Sequence, residues 1–350
     1  MMAQVERTTL WRILLAVAFM LLLPLASGSL QAHEGEKHEL HETGSVANPK
    51  SGYWRQVREG GQGYTAVKGQ ETSVLIQGGG QNWRQLRNGP LATYGGVFLG
   101  LVVFAIGSFY LWRGQVKLNH PRSGETVMRW TFAERILHWY TALLFVFLAI
   151  TGLSLLYGRA LLIPVLGREA FSAYAEIAKL LHNFIGPLFI VGLVLMIVSW
   201  AKDNLPDRID IEWFKALGGM VGDRHPSAGR MNAGEKMWFW LLAVGGLAVS
   251  VSGLLLDFPN FGQERWLLQG SHLIHVFFAF VLMAGAVGHI YIGTIGTEGA
   301  LEGMVTGKVD KSWAIQHHDL WYEKSADAES GSSIANPEKP LIPKTGGVAS

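Results

Sequence analysis

The stretch WLLQGSHLIHVFFAFVLMAGAVGHIYIGTIGT, Trp266 to Thr297, runs for 32 residues without Asp, Glu, Lys or Arg, yet it carries three histidines. A helix needs about 20 mostly apolar residues to cross a bilayer. Four further blocks lack charge altogether: Asn88 to Trp112, Ile136 to Gly158, Leu180 to Ala201 and Met237 to Leu256. Hydrocarbon leaves backbone groups no partner outside their own helix, so five such blocks predict five membrane helices. A soluble bundle would need a polar face on each helix, and these blocks have almost none. The fold class is therefore an all-α membrane protein.

Composition agrees. Of 350 residues, 49% are apolar and only 16% charged, where soluble domains average roughly 25% charge. Cysteine is absent. That excludes a disulfide scaffold, thiolate zinc or iron–sulfur sites and haem attached through C-x-x-C-H. A net charge of +2 gives no footprint for nucleic acid.

The front of the chain reads differently. Arg7 and Arg12 precede a short apolar run, Ile13 to Ala26, and small residues follow up to Ala32. This is the pattern of a secretory signal over 1–32, with an uncleaved anchor as the alternative. Residues 33–90 are then expected in the periplasm, and 91–112 form a first helix running inward. Inside loops 113–135 and 202–236 hold five and six Lys/Arg, against three and one in outside loops 159–179 and 257–265. This follows the positive-inside rule. The tail is placed in the cytoplasm, with 325–350 expected to be disordered.

Four histidines fall within these helices: His138, His182, His275 and His289. Ionisable groups inside membrane helices are rare and usually functional, and neutral imidazole is a natural ligand for metal or haem iron. One alone reads equally as a hydrogen bond to a neighbouring helix; the placement of four argues otherwise. His275 and His289 are 14 residues apart, about 21 Å along the axis and within about 40° of the same face. His138 begins its helix on the inner side, level with His289, and His182 on the outer side, level with His275. Depth thus pairs His138 with His289 and His182 with His275, as two bis-histidine b-type haems would require. Zinc wants its ligands in one place, and a di-iron centre needs carboxylates that these helices lack. His272 lies about 100° off the face of His289 and reads as a loop or haem-propionate contact. Gly152 and Gly192 sit where a macrocycle needs room, though close helix packing explains them equally well.

The motifs continue along the chain. They are Phe132-Ala-Glu-Arg-Ile-Leu-His138-Trp139, Leu180-Leu-His182 with Gly186, and Asn204-Leu-Pro-Asp207 through Asp210-Ile-Glu-Trp213. Asn232-Ala-Gly234-Glu-Lys236, Leu273-Ile-His275 and His289-Ile-Tyr291 follow. Gly303-Met-Val-Thr-Gly307-Lys-Val309, Trp313-Ala314, His317-His318 and Trp321-Tyr322 close the series. In this order and spacing, from about Arg129 to Lys324, the chain resembles the gamma subunit of membrane-bound formate dehydrogenase, a di-haem cytochrome b. The resemblance implies a four-helix cytochrome b domain over 129–324, with spans at 136–158, 180–201, 237–256 and 272–294. It implies a periplasmic haem on His182 and His275, fed by an iron–sulfur beta subunit, and a cytoplasmic haem on His138 and His289. It also implies a quinone, menaquinone or ubiquinone, beside Asn232, Gly234 and His289. Formate is then oxidised on an alpha subunit with molybdenum or tungsten, and this chain has no formate-oxidising site. The location implied is the bacterial inner membrane.

The chain departs from that family in two places. Glu235 stands where an amide is expected, and serves proton delivery or faces solvent. The signal, the segment 33–90 and the extra helix precede the family core. The segment repeats Trp54-Arg-Gln-Val-Arg-Glu-Gly60 as Trp83-Arg-Gln-Leu-Arg-Asn-Gly89, either to dock a periplasmic partner or as a plain strand–turn element. His33, His38 and His41 read as a solvated terminus or as weak metal ligands, and His317 and His318 as plain surface residues or as proton buffers for quinone reduction. Two other readings stay open: a cytochrome b for a hydrogenase or thiosulfate reductase, and a haem-free anchor or transporter whose histidines relay protons.

Overall fold

The structure, a computed structural model, describes residues 52, 55, 58, 59, 78–222 and 225–335, the last eight by backbone alone. The signal 1–32, His33, His38, His41 and most of the first Trp-Arg-Gln copy lie outside the described residues. Helix α1 (Gly78–Leu86) passes through a widened π turn (Arg87–Leu91) into α2 (Ala92–Arg113). A short strand, β1 (Thr126–Met128), precedes α3 (Phe132–Leu161). The single turn α4 (Ile163–Leu166) leads into α5 (Arg168–Trp200), and α6 (Arg208–Lys215) follows. The last two long helices are α7 (Ala233–Asp257) and α8 (Arg265–Tyr291). The C-terminal part adds α9 (Ala300–Thr306), β2 (Lys308–Asp310), α10 (Lys311–His317) and α11 (Asp319–Ala335). Among the described residues, five helical stretches are long and apolar enough to span a membrane: Gly79–Arg113, Phe132–Leu161, Arg168–Trp200, Ala233–Asp257 and Arg265–Gly296.

Side-chain caps set where α3, α6 and α7 begin. Thr131 Oγ1 accepts from Glu134 N at 3.3 Å, while the Glu134 carboxylate accepts from Thr131 N at 2.8 Å. Asn232 and Glu235 form the same reciprocal pair at α7, as do Asp207 and Asp210 at α6. Each pair satisfies backbone donors that the first helical turn leaves without partners.

The helices therefore run beyond the charge-free blocks. Residues 168–179, expected as an outside loop, are the first three turns of α5 and carry Arg168, Glu169, Glu176 and Lys179. Residues 78–90 of the expected periplasmic segment are helical and continuous with the first span. The second Trp-Arg-Gln copy is accordingly helix, not strand and turn. Helix α11 likewise continues to Ala335, into the tail expected to be disordered from 325. Absence of charge marks the depth of hydrocarbon, whereas hydrogen bonding and caps mark helix ends, so the two boundaries need not coincide.

Helix α3 packs on α5, α5 on α7, α7 on α8, and α2 on the outer side of α8. The core between them holds Phe189, Leu193, Met196, Trp200, Phe239, Leu242 and Leu282. Facing away, large apolar side chains stand open, Val198 at 76% and Leu143 at 64% exposure. Such a surface is stable only against lipid.

One end of the bundle is closed by polar structure. Strand β1 pairs antiparallel with β2, Val127 opposite Val309. Gly307, at φ +87°, accepts from both Arg129 N (2.8 Å) and Trp130 N (3.1 Å); a Cβ there would sit 2.7 Å from the Trp130 carbonyl oxygen. That turn ties the entry of α3 to the C-terminal segment.

Candidate cofactor sites

The bundle brings its four interior histidines together as two pairs. His182 on α5 and His275 on α8 face each other with ring centres 6.2 Å apart. His138 on α3 and His289 on α8 do so at 6.1 Å, nearer the polar end. An imidazole nitrogen sits about 2 Å from a coordinated transition metal, and about 1 Å from its own ring centre. Two rings on opposite sides of one ion are then about 6 Å apart. No group of three or more His, Asp or Glu placed to hold a metal ion is found among the described residues. A pair suits an ion whose remaining ligands come from a macrocycle.

The first pair has its outer nitrogens fixed. His275 Nδ1 lies 3.0 Å from the Val249 carbonyl. A carbonyl only accepts, so this nitrogen carries the proton and Nε2 keeps its lone pair. His182 Nδ1 lies 2.8 Å from Thr151 Oγ1, whose own proton has the carbonyls of Phe147 and Leu148 within reach. The hydroxyl can thus accept from His182 Nδ1 and leave its Nε2 free as well. Metal-ligating histidines are oriented in this way. A cavity of about 480 Å³ surrounds both rings, walled by Gly152, Gly186, Pro187, Gly253, Phe145 and Phe280. A Cβ at Gly253 would come 3.1 Å from His275 Cε1, and one at Gly152 would come 3.4 Å from His182 Cε1. The donor set and the space both fit a haem.

The second pair is held by aromatic rings. Trp238 on α7 stacks on His289 at 5.3 Å and 16°. Trp139 meets His138 edge-on at 5.2 Å and donates Nε1 to the Met304 carbonyl at 3.0 Å. His138 Nδ1 is buried with no hydrogen-bond partner among the described residues. Gly192, read in the sequence alongside Gly152, does not face a histidine. A Cβ there would meet Thr141 Oγ1 at 2.5 Å and Tyr140 at 3.0 Å, so Gly192 serves packing.

The other sequence candidates fall as follows. His272 lies within α8, on the wall of the first cavity, its ring 5.5 Å from Trp83 and its Nδ1 buried with no hydrogen-bond partner among the described residues. Asn232 is the N-cap of α7, its side chain accepting from Glu235 N at 2.9 Å. Gly234 accommodates Trp213, whose ring a Cβ there would approach to 2.7 Å. Glu235 is only partly solvent-facing: its carboxylate pairs at 3.1 Å with Arg129, a cation with 2% of its side chain exposed. His318 is not a surface residue. It is fully buried, with Nδ1 donating to the Gly229 carbonyl at 2.8 Å and Nε2 3.8 Å from Glu235. Burial and the Arg129 cation hold it well below the usual histidine range. His317 is likewise pushed down to about 3 by burial and by the His318 and His225 rings nearby. Its ring stands 5.6 Å from that of His225.

Sequence reasoning passed over Arg129 itself. Its guanidinium lies between Trp130, Trp313 and Trp321, 5.1 to 5.4 Å from their ring centres, and donates to the Arg230 carbonyl at 3.2 Å. The three tryptophans were visible, but only the fold brings residues 130, 313 and 321 around one charge.

Apolar membrane helices that hold opposed histidine pairs in their interior define a membrane cytochrome b. Residues 129–307 match the family model of prokaryotic cytochrome b561, and the chain belongs to that family, which implies haem b as its cofactor. It is 30% identical over 213 residues to the cytochrome b556(Fdn) subunit of the nitrate-inducible formate dehydrogenase of Escherichia coli (strain K12), covering 59% of this chain and 94% of that protein. It is 30% identical over 204 residues to the cytochrome b556(fdo) subunit of formate dehydrogenase from the same organism, 57% and 93% of the two chains. The formate dehydrogenase cytochrome b556 subunit of Haemophilus influenzae is 28% identical over 225 residues, 63% and 92%. The resemblance carried by the sequence motifs is thus borne out, as is the all-α membrane fold.

Proposed function

We propose that this chain is the membrane-anchoring cytochrome b subunit of a quinone-linked formate dehydrogenase. His182 and His275 hold one haem b through Nε2, and His138 and His289 hold a second. The observation that carries this reading is the pair of imidazole separations, 6.2 and 6.1 Å, each sized for one ion between two rings. When bound, the haems supply one-electron carriage between the faces of the membrane.

The excess of Lys and Arg in the loops of the polar end orients that end to the cytoplasm. The His182–His275 layer then faces the periplasm and an iron–sulfur beta subunit. The His138–His289 layer faces the cytoplasmic side, where menaquinone or ubiquinone is reduced near His289, Asn232 and Gly234. Protons for that reduction come from the cytoplasm, and those of formate oxidation are released outside on an alpha subunit with molybdenum or tungsten. The chain itself would anchor the complex, hold the four imidazoles in place and exclude water.

Purification in mild detergent, with partner identification by mass spectrometry and haem quantification, tests this directly. Two b haems per chain and co-purifying formate dehydrogenase subunits are expected. No reduced b-type band would overturn the haem reading. A hydrogenase or thiosulfate reductase partner would replace the formate assignment. In sealed vesicles, formate-driven quinone reduction without external acidification would overturn the proton arrangement.

A further inference from the structure

Helices α1 and α2 and the π turn between them lie outside residues 129–307, which match the family, yet Arg87 of that turn lines the first cavity. A Cβ at Gly95 would overlap the Phe280 ring, and Tyr157 Oη donates to the Ala92 carbonyl at 2.5 Å. These contacts seat the extra helix against α8 and α3. At its outer end the helix opens into the π turn that begins at Arg87 and contains Pro90, which has no N–H to give. The N–H of Ala92 reaches back to the carbonyls of Arg87 and Gly89. Widened turns of this kind often re-aim a functional side chain.

Here Arg87 is turned onto the wall of the cavity that holds His182 and His275. One terminal nitrogen donates to Asn88 at 2.9 Å, but Nε is buried with no hydrogen-bond partner among the described residues. One turn earlier Trp83 covers the His272 ring. Lys179 and Asp257 stand on the same wall. A guanidinium set against a largely apolar cavity in a membrane helix is costly unless an anion meets it, and the fork of donors matches a carboxylate.

We propose that Arg87 is a positioning residue, supplied by the extra helix, that binds a carboxylate of the macrocycle held by His182 and His275 and raises its reduction potential. This rests on the haem reading above. The sign follows from Coulomb's law: a nearby cation favours the reduced, less positive iron. Removing it also leaves a carboxylate uncompensated, which favours the oxidised iron.

The test is a redox titration of the purified complex, followed by the reduced b-type band, with haem counted per chain. His182→Ala identifies which potential belongs to this layer. Arg87→Gln is expected to lower that potential by about tenfold in the reduction equilibrium, about 59 mV for one electron, and to leave the other unchanged. Arg87→Lys restores most of the shift, and Arg84→Gln, an exposed neighbour on the same helix, causes none. Unchanged potentials in Arg87→Gln, equal shifts of both, or the same shift from Arg84→Gln would overturn the proposal. A wild-type complex with no haem in this layer would overturn the underlying reading instead, before any variant is compared.

Discussion

The two histidine layers hold their rings at nearly the same separation, but they are held by different means. Around His182 and His275 the outer nitrogens are fixed by Thr151 and the Val249 carbonyl, with glycines flanking both rings. Around His138 and His289 there is an indole stack and an unpartnered Nδ1. The first layer lies in a largely apolar cavity with Arg87, Lys179 and Asp257 on its wall. The second lies below the polar end, where Arg129, Glu235 and His318 are buried or half-buried together. One layer fixes its imidazoles by hydrogen bonds. The other shares its end of the bundle with the Arg129–Glu235 ion pair.

The largest expected effect tests whether there are two layers at all. His182→Ala and His138→Ala should each remove one haem, halving the haem-to-protein ratio. The two variants should lose different spectral components. Loss of both haems from either change would mean that the layers do not fill independently.

The next effect belongs to the polar end alone. Glu235→Ala leaves Arg129 buried without its carboxylate. Breaking a buried ion pair by removing one partner costs about 3–5 kcal/mol. A smaller loss, about 1–2 kcal/mol, is expected here because Glu235 is 37% exposed and solvent screens the pair, and because the indole faces and the Arg230 carbonyl remain. Thermal unfolding of the purified chain would read this as a lower midpoint. An unchanged midpoint would show that the ion pair contributes nothing.

A smaller effect should appear only in the first layer. Thr151→Val keeps the shape but removes the partner of His182 Nδ1. Partners of metal-bound histidines are worth 10–100-fold in affinity, so about tenfold weaker haem retention is expected under detergent challenge. The second layer has no corresponding hydroxyl to lose.

Much of this was legible in the sequence because membrane helices write depth into composition. The charge-free blocks located all five spans, and the spacing of His275 and His289 put them on one face. Helix ends were not legible from charge: α5 begins at Arg168 because the helix continues past the hydrocarbon with its own hydrogen bonds. Gly152 and Gly192 looked alike in sequence, yet one faces a histidine and the other Tyr140 and Thr141. Helix packing decides that, and no local signal carries it. His318 read as surface because it lies beyond the last charge-free block, in the tail. Only the pairing of β1 with β2 and the turn at Gly307 show how the C-terminal segment folds back over Arg129.

The smallest effect is pH dependence, which separates the two ends once more. The His317 and His318 rings are held neutral, with values in the folded chain below the ordinary 6.5, about 3 for His317. The unfolded segment therefore takes up protons first as pH falls. The stabilisation is complete above 6.5 and is lost progressively below it, down to about 3 for His317. Between pH 7.5 and 6.0 the loss is about 0.8 kcal/mol per histidine. Hydrogen exchange of backbone amides 309–318 would read it as easier local opening at the lower pH. His318→Gln keeps a donor for the Gly229 carbonyl but cannot titrate, so it should remove one histidine's share of the slope. Amides of α8 around His275, which lie inside the apolar span, should show no matching change. A slope that survives in His318→Gln would assign the pH sensitivity to other groups of the polar end.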